Sequence, residues 1–159
     1  MKFHVSKIDA AAEQIDWAIK LLIDHQAYIP AITLAGAAEE ITGEALEGQS
    51  TFNQLKTKFC DKHNLPENVI SQSYLNKTKN WLKHWKNLKD DAQMEIELGA
   101  ETIQYIVRGL VNFVLYDKTL PSEGARFFEW LSLQKEYSQN EDLRRIIEII
   151  KNDGKYQSE

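Results

Sequence analysis

Six side chains suited to proton transfer or phosphate binding fall within ten residues, Lys77-Thr78-Lys79-Asn80-Trp81-Leu82-Lys83-His84-Trp85-Lys86. On a continuous helix Lys77, Asn80 and His84 stand at i, i+3 and i+7 and share a face, with Lys79 one step round from Asn80. Lysine charges beside an imidazole favour its neutral form. A neutral imidazole can take the proton of a ribose 2′-hydroxyl while the ammonium groups hold the phosphate. That is the minimum for RNA cleavage without a metal. The same residues also read as the solvated side of an amphipathic helix anchored by Trp81 and Trp85.

Other chemistries find little to work with. The four histidines, His4, His25, His63 and His84, share no ligand-like spacing, and neither Glu-x-x-His nor His-Glu-x-x-His occurs. No metal site and no cofactor are therefore expected. Glu39-Glu40 reads as an acidic step, either solvated or buried and paired. The single cysteine, Cys60, follows an inward-reading Phe59 on an amphipathic stretch and suits a small semi-buried hydrophobe. It rules out an internal disulfide framework. There is no Gly-x-Ser-x-Gly nucleophile motif and no glycine-rich phosphate loop.

Charge is unevenly distributed. Residues 1–55 carry three lysines against eight acids, net −5; residues 56–89 carry eight lysines against Asp61 and Glu67, net +6; residues 90–159 carry eight basic residues against fourteen acids, net −6. A block of this kind suits a polyanion, through counterion release. It equally suits a solvated helix face, or docking on the acidic segments of the same chain or a second copy.

The elements that must position these residues are helical throughout. Ile8, Ala12, Ile15, Ile19 and Leu22 form one stripe, and Ser6 with Asp9 forms a capping box, so a first helix is expected over 7–25. Pro30 suits the first turn of a second helix. There Ala31, Ala35, Ala38, Thr42 and Ala45 make a stripe of small residues for close packing, and Gly48 can end it. Thr51 opens a third helix with Phe52, Leu55 and Phe59 inward, broken at Asn64-Leu65-Pro66. A fourth covers 67–88, with Tyr74, Thr78, Trp81, Trp85 and Leu88 on one face. Asp90-Asp91 caps a long fifth helix to Asp117, striped by Ile96, Gly99, Ile103, Ile106, Leu110 and Phe113. A sixth carries Phe127, Phe128 and Leu131. A short last helix, capped at Asn140-Glu141-Asp142, carries Leu143, Ile146, Ile147 and Ile150.

The expectation is an all-α single domain of six or seven helices over 1–153, with helices two and five central and a polar tail over 154–159. A chain of 159 residues with 43% apolar and 27% charged residues supports one stable core. No apolar run approaches a membrane span: Ile103 to Tyr116 is interrupted by Gln104, Arg108 and Asn112. The N-terminus leads straight into polar sequence without a signal peptide, so a cytoplasmic location with no membrane partner is expected.

The helix order followed by Lys79-Asn80-x-x-x-His84 resembles the HEPN superfamily, whose motif is Arg, often followed by Asn, and then His after four to six residues. Four residues separate Lys79 from His84 here. The segment from Ala31 to Ile41 also looks like the second helix of uncharacterised bacterial proteins that carry a similar Asn-x-Leu-Lys-His element. The resemblance spans helices one to five. It implies a homodimeric bundle with two motif copies facing each other, and, in active members, metal-independent endoribonuclease activity in toxin–antitoxin, phage-defence or RNA-processing systems. Carried over, His84 is the catalytic acid or base, Asn80 orients it or the phosphate, and Lys79 stands where the family has Arg. Lys77, Lys83 and Lys86 would bind the backbone. Lysine offers one mobile charge where arginine offers a bidentate fork, which shifts the expectation toward a non-catalytic or weakly active dimer binding RNA, a nucleotide or a protein. The alternative is an endoribonuclease using His84.

Overall fold

The computed structural model describes residues 2–84 and 92–139, together with Glu141, Arg144, Arg145 and Glu148. Among these residues there are seven α-helices and no strand: α1 Lys7–His25, α2 Tyr28–Ala45, α3 Thr51–His63, α4 Glu67–Ile70, α5 Lys77–Lys83, α6 Leu98–Asp117 and α7 Gly124–Leu133. A π-helical turn, Ser71–Leu75, joins α4 to α5. None of these helices is long and apolar enough to cross a membrane.

α1 begins at the capping box read from the sequence: Asp9 N–H donates to Ser6 Oγ at 3.0 Å, and Ser6 N–H to Asp9 Oδ2 at 3.3 Å. It ends where Gln26 turns left-handed and its N–H returns to the Leu21 carbonyl. α2 folds back along it. Ala31, Ala35 and Ala38 are fully buried, and Ile15, Ile19 and Leu22 of α1 close over them. α6 lies along the other side of α2 and runs parallel to it: Asn112 reaches Glu39 and Thr42, while Ile103 and Tyr28 line one groove at the opposite end. α6 meets α1 closely at Gly109, where a Cβ would lie 2.8 Å from Ile15 Cδ1 and 4.0 Å from the Glu39 backbone nitrogen of α2. α2 and α6 are thus the central pair, as the small-residue stripe and the long apolar stripe predict. α7 adds Phe127, Phe128 and Leu131 to the core. It is fastened to α1 by Asp16, which accepts from Ser122 Oγ at 2.6 Å and Glu123 N–H at 2.8 Å, and by the Arg126–Asp24 ion pair.

Several sequence expectations need correction. The stretch 67–88 is not one helix. Asn76 N–H reaches back five residues to Ser71 C=O, and α5 stops at Lys83. The proposed common face therefore breaks up: Tyr74 is exposed while Thr78 is buried. α6 starts at Leu98 with Glu97 as its cap, leaving Ile96 before it. α2 ends at Ala45, and Gly48 serves the following turn with φ 92°. Phe52, Leu55 and Phe59 are only half-buried, because α3 covers the edge of the bundle rather than its centre. Trp85, Leu88, Asp90-Asp91, the apolar positions of the last helix and the tail after Asp153 lie outside the described residues.

Candidate functional site

The best-built polar constellation gathers around Glu39. α2 carries this carboxylate inward, next to the small residues that let α6 approach. Its Oε2 lies 3.0 Å from Arg108 Nη2 of α6 and 3.3 Å from Lys79 Nζ of α5. All three are withdrawn from solvent: Glu39 is 3%, Arg108 2% and Lys79 6% exposed. Buried charges persist only when paired and hydrogen-bonded. The pairing is thorough. Arg108 Nη1 donates to the Leu75 carbonyl at 2.8 Å and Nη2 to Asn76 Oδ1 at 3.0 Å. Its guanidinium also lies against the Tyr105 and Phe52 rings, at 4.7 and 5.5 Å from their centroids. Among the described residues Arg108 Nε has no partner.

Around this hub the elements are laced together. Tyr105 Oη donates to the Leu75 carbonyl at 3.1 Å and accepts the Lys79 N–H at 3.3 Å. Burial pushes the Tyr105 phenol up to about 12. Asn112 donates to the Glu39 carbonyl and to Thr42 Oγ1, and its Oδ1 accepts both the N–H and the hydroxyl of Thr51 at the start of α3. Nearer the surface, Glu40 Oε2 sits 3.1 Å from Lys83 Nζ and 3.4 Å from Lys79 Nζ. The Lys83 hydrogen bond holds the Glu40 carboxyl below its usual range. The Lys79 stem reaches the hub through a notch at Gly36, where a Cβ would lie 2.7 Å from Lys79 Cδ.

A cleft of about 340 Å³ opens over the hub between α2, α3 and α5. Glu39, Glu40 and Lys79 form its inner wall, Glu44 and Phe52 its sides, and three carboxamides, Asn53, Asn76 and Asn80, reach it as well. No described residue hydrogen-bonds the side chains of Asn53 or Asn80.

The sequence-derived site residues separate in this framework. Lys79 and Asn80 both line the cleft, but the Lys79 charge is taken up by Glu39 and Glu40. Lys83 pairs with Glu40. Lys77 lines a different groove, beside Phe59, Tyr74 and Met94. His84 is exposed and already off the helix, its backbone extended at φ −135° and ψ 124°, with its N–H on the Asn80 carbonyl at 3.0 Å. The continuous face of Lys77, Asn80 and His84 is thus lost, because α5 is too short to carry it. Lys86 lies outside the described residues. Of the two readings of Glu39-Glu40, the buried, paired one holds for Glu39, and Glu40 is paired at the surface.

Arg108 and Asn112 were not read as site residues. Their signal was present: two polar residues four apart in the apolar stretch of the longest helix share one face and need buried partners. No family model, no curated protein and no solved structure matches this chain.

Proposed function

We propose that the chain is a HEPN-like, dimeric, non-catalytic RNA-binding protein that seats one unpaired base in the cleft between α2, α3 and α5. The observation that carries this reading is the charge balance of the cleft. Lys79, Lys83 and Arg108 are engaged by Glu39 and Glu40, and Glu44 lines the cleft as a third carboxylate, so the three cations nearest the motif are balanced charge for charge and none is left over for a scissile phosphate. What remains for a ligand is a set of carboxamides, which match the donor and acceptor edge of a neutral heterocycle. The cleft volume suits a single ring system with its sugar. Lys58 and Lys62 on α3 and Lys77 on α5 are exposed and offer the flanking phosphates a screened attraction. The dimer comes from the resemblance and from the opposition of the basic block to its acidic flanks.

The test is fluorescence anisotropy with labelled single-stranded RNA, run beside a cleavage gel in EDTA. Saturable binding that weakens with salt is expected, with the RNA left intact. Asn53→Ala and Asn80→Ala should each weaken it up to about tenfold, the worth of one good hydrogen bond. RNA cut by the wild type and spared by His84→Ala would replace this reading with the endoribonuclease. Absence of binding would end both. Light scattering that gives the monomer mass of 18.4 kDa would remove the dimer.

A further inference from the structure

At the opposite end of the α2–α6 pair lies a second groove, of about 470 Å³, that no part of the proposed RNA site uses. Leu22 and Ile23 of α1 and Ile103 of α6 supply aliphatic surface, and Tyr28, Trp130 and Tyr137 supply three aromatic rings. Polar atoms make up as much of its surface as apolar ones: Gln26, Lys135 and Glu136 are exposed, and Gln134 is half-buried with its amide on the Trp130 carbonyl. The two rim charges are of opposite sign. No described residue hydrogen-bonds the Trp130 indole N–H or the hydroxyls of Tyr28 and Tyr137. Aromatic walls beside hydrogen-bonding groups are a feature of small-molecule sites.

Gly99 adds an independent observation. It lies in the first turn of α6 and lines this groove. Its backbone is not left-handed, and an added Cβ would meet nothing within 4 Å. Neither conformation nor close packing asks for glycine there, although glycine weakens a helix relative to alanine. What its missing side chain provides is open space in the groove. Gly109 on the same helix differs: there a Cβ would strike Ile15.

We propose that this groove is a binding site for a small, uncharged aromatic compound, one or two fused rings bearing a hydroxyl or carbonyl oxygen. The rings would pack on Tyr28, Trp130 and Tyr137, and the oxygen would meet the indole N–H or a tyrosine hydroxyl. A neutral ligand fits because Lys135 and Glu136 offset each other.

The test titrates the full chain with p-cresol, indole and indole-3-carboxaldehyde, with cyclohexanol as a non-aromatic control, by calorimetry and saturation-transfer NMR. Saturable binding is expected for at least one aromatic probe. Gly99→Leu should weaken it about tenfold or more by filling the groove, while the thermal melt stays at or above that of the wild type. Trp130→Phe keeps one aromatic ring but loses the N–H, and should weaken the carbonyl-bearing probe more than indole. Saturation by none of the aromatic probes, equal binding of cyclohexanol, or Gly99→Leu binding as well as wild type would each overturn the proposal. Asn80→Ala should leave this binding unchanged, so the two sites stand or fall separately.

Discussion

Replacing Glu39 by glutamine tests whether one carboxylate holds the centre of the fold together. The amide keeps the shape and removes the charge. Arg108, at 3.0 Å and 2% exposed, and Lys79, at 3.3 Å and 6% exposed, would then face each other as buried cations. Stranding a buried charge typically costs about 3–5 kcal/mol. Two are stranded here, but Glu40 still reaches Lys79 at 3.4 Å, so the same range is expected rather than its double. At this chain length each kcal/mol lowers the melting temperature by about 2–4 °C, which puts the loss at roughly 6–20 °C. Lys79→Met should cost far less, about 1 kcal/mol, because methionine fills the Gly36 notch while Glu39 keeps Arg108 and Glu40 keeps Lys83. The double variant should recover part of the Glu39→Gln loss, since it removes one of the stranded cations. Thermal and urea unfolding followed by circular dichroism measure all three. A Glu39→Gln protein no less stable than Lys79→Met, or a double variant worse than Glu39→Gln alone, would refute the hub.

Gly36→Ala should destabilise by about 1–2 kcal/mol despite alanine's better helix propensity, because its Cβ pushes the Lys79 stem from the ion pairs; a melt above wild type would show that the stem has another route. In alkali, a phenol titrating near 12 should appear in the absorbance of the wild type and vanish in Tyr105→Phe. The unfolded chain loses that proton first, so stability should fall as pH rises from about 10 toward 12 in wild type, and less steeply in Tyr105→Phe. Glu40 works in the opposite direction. Its folded carboxyl is held below the usual 4.5, so its contribution is present above that pH and is lost as pH falls through the folded value. Acid melts of wild type and Glu40→Gln should therefore converge on acidification, and curves that stay parallel would refute the pairing with Lys83.

The bundle itself was largely legible. Period-3.6 stripes locate α1, α2, α3 and α7, and the Ser6–Asp9 cap and the small residues of α2 specify local geometry that survives folding. What escaped was set by tertiary partners. Nothing local says that α5 ends at Lys83: Lys77 to Lys86 alternates lysines and tryptophans in a pattern a longer helix would accept. The π-helical turn is stabilised from outside, by Tyr105 and Arg108 on the Leu75 carbonyl, thirty and more residues away. Lys79 looked like a surface cation because lysines usually are; its burial follows from Glu39 and the missing side chain at Gly36, both forty or so residues upstream. The cleft shares that fate. Asn80 was legible as a polar group on a basic helix, whereas Asn53 and Glu44 join it only because α2, α3 and α5 converge.

The Leu75 carbonyl fixes the rotational phase of everything that follows it. Each residue inserted or deleted in a helix turns the downstream face by roughly 100°. Tyr105 and Arg108 grip that one oxygen, and Asn76 closes the widened turn on Ser71, so Lys79 arrives four residues later aimed at Glu39. A chain one residue shorter between Ile70 and Leu75 would present a neutral side chain, Asn80, to the carboxylate and carry the ammonium away. The stretch 71–75 cannot absorb a change in length without disturbing the hub, and its residue count is as much a part of this fold as the identity of Glu39.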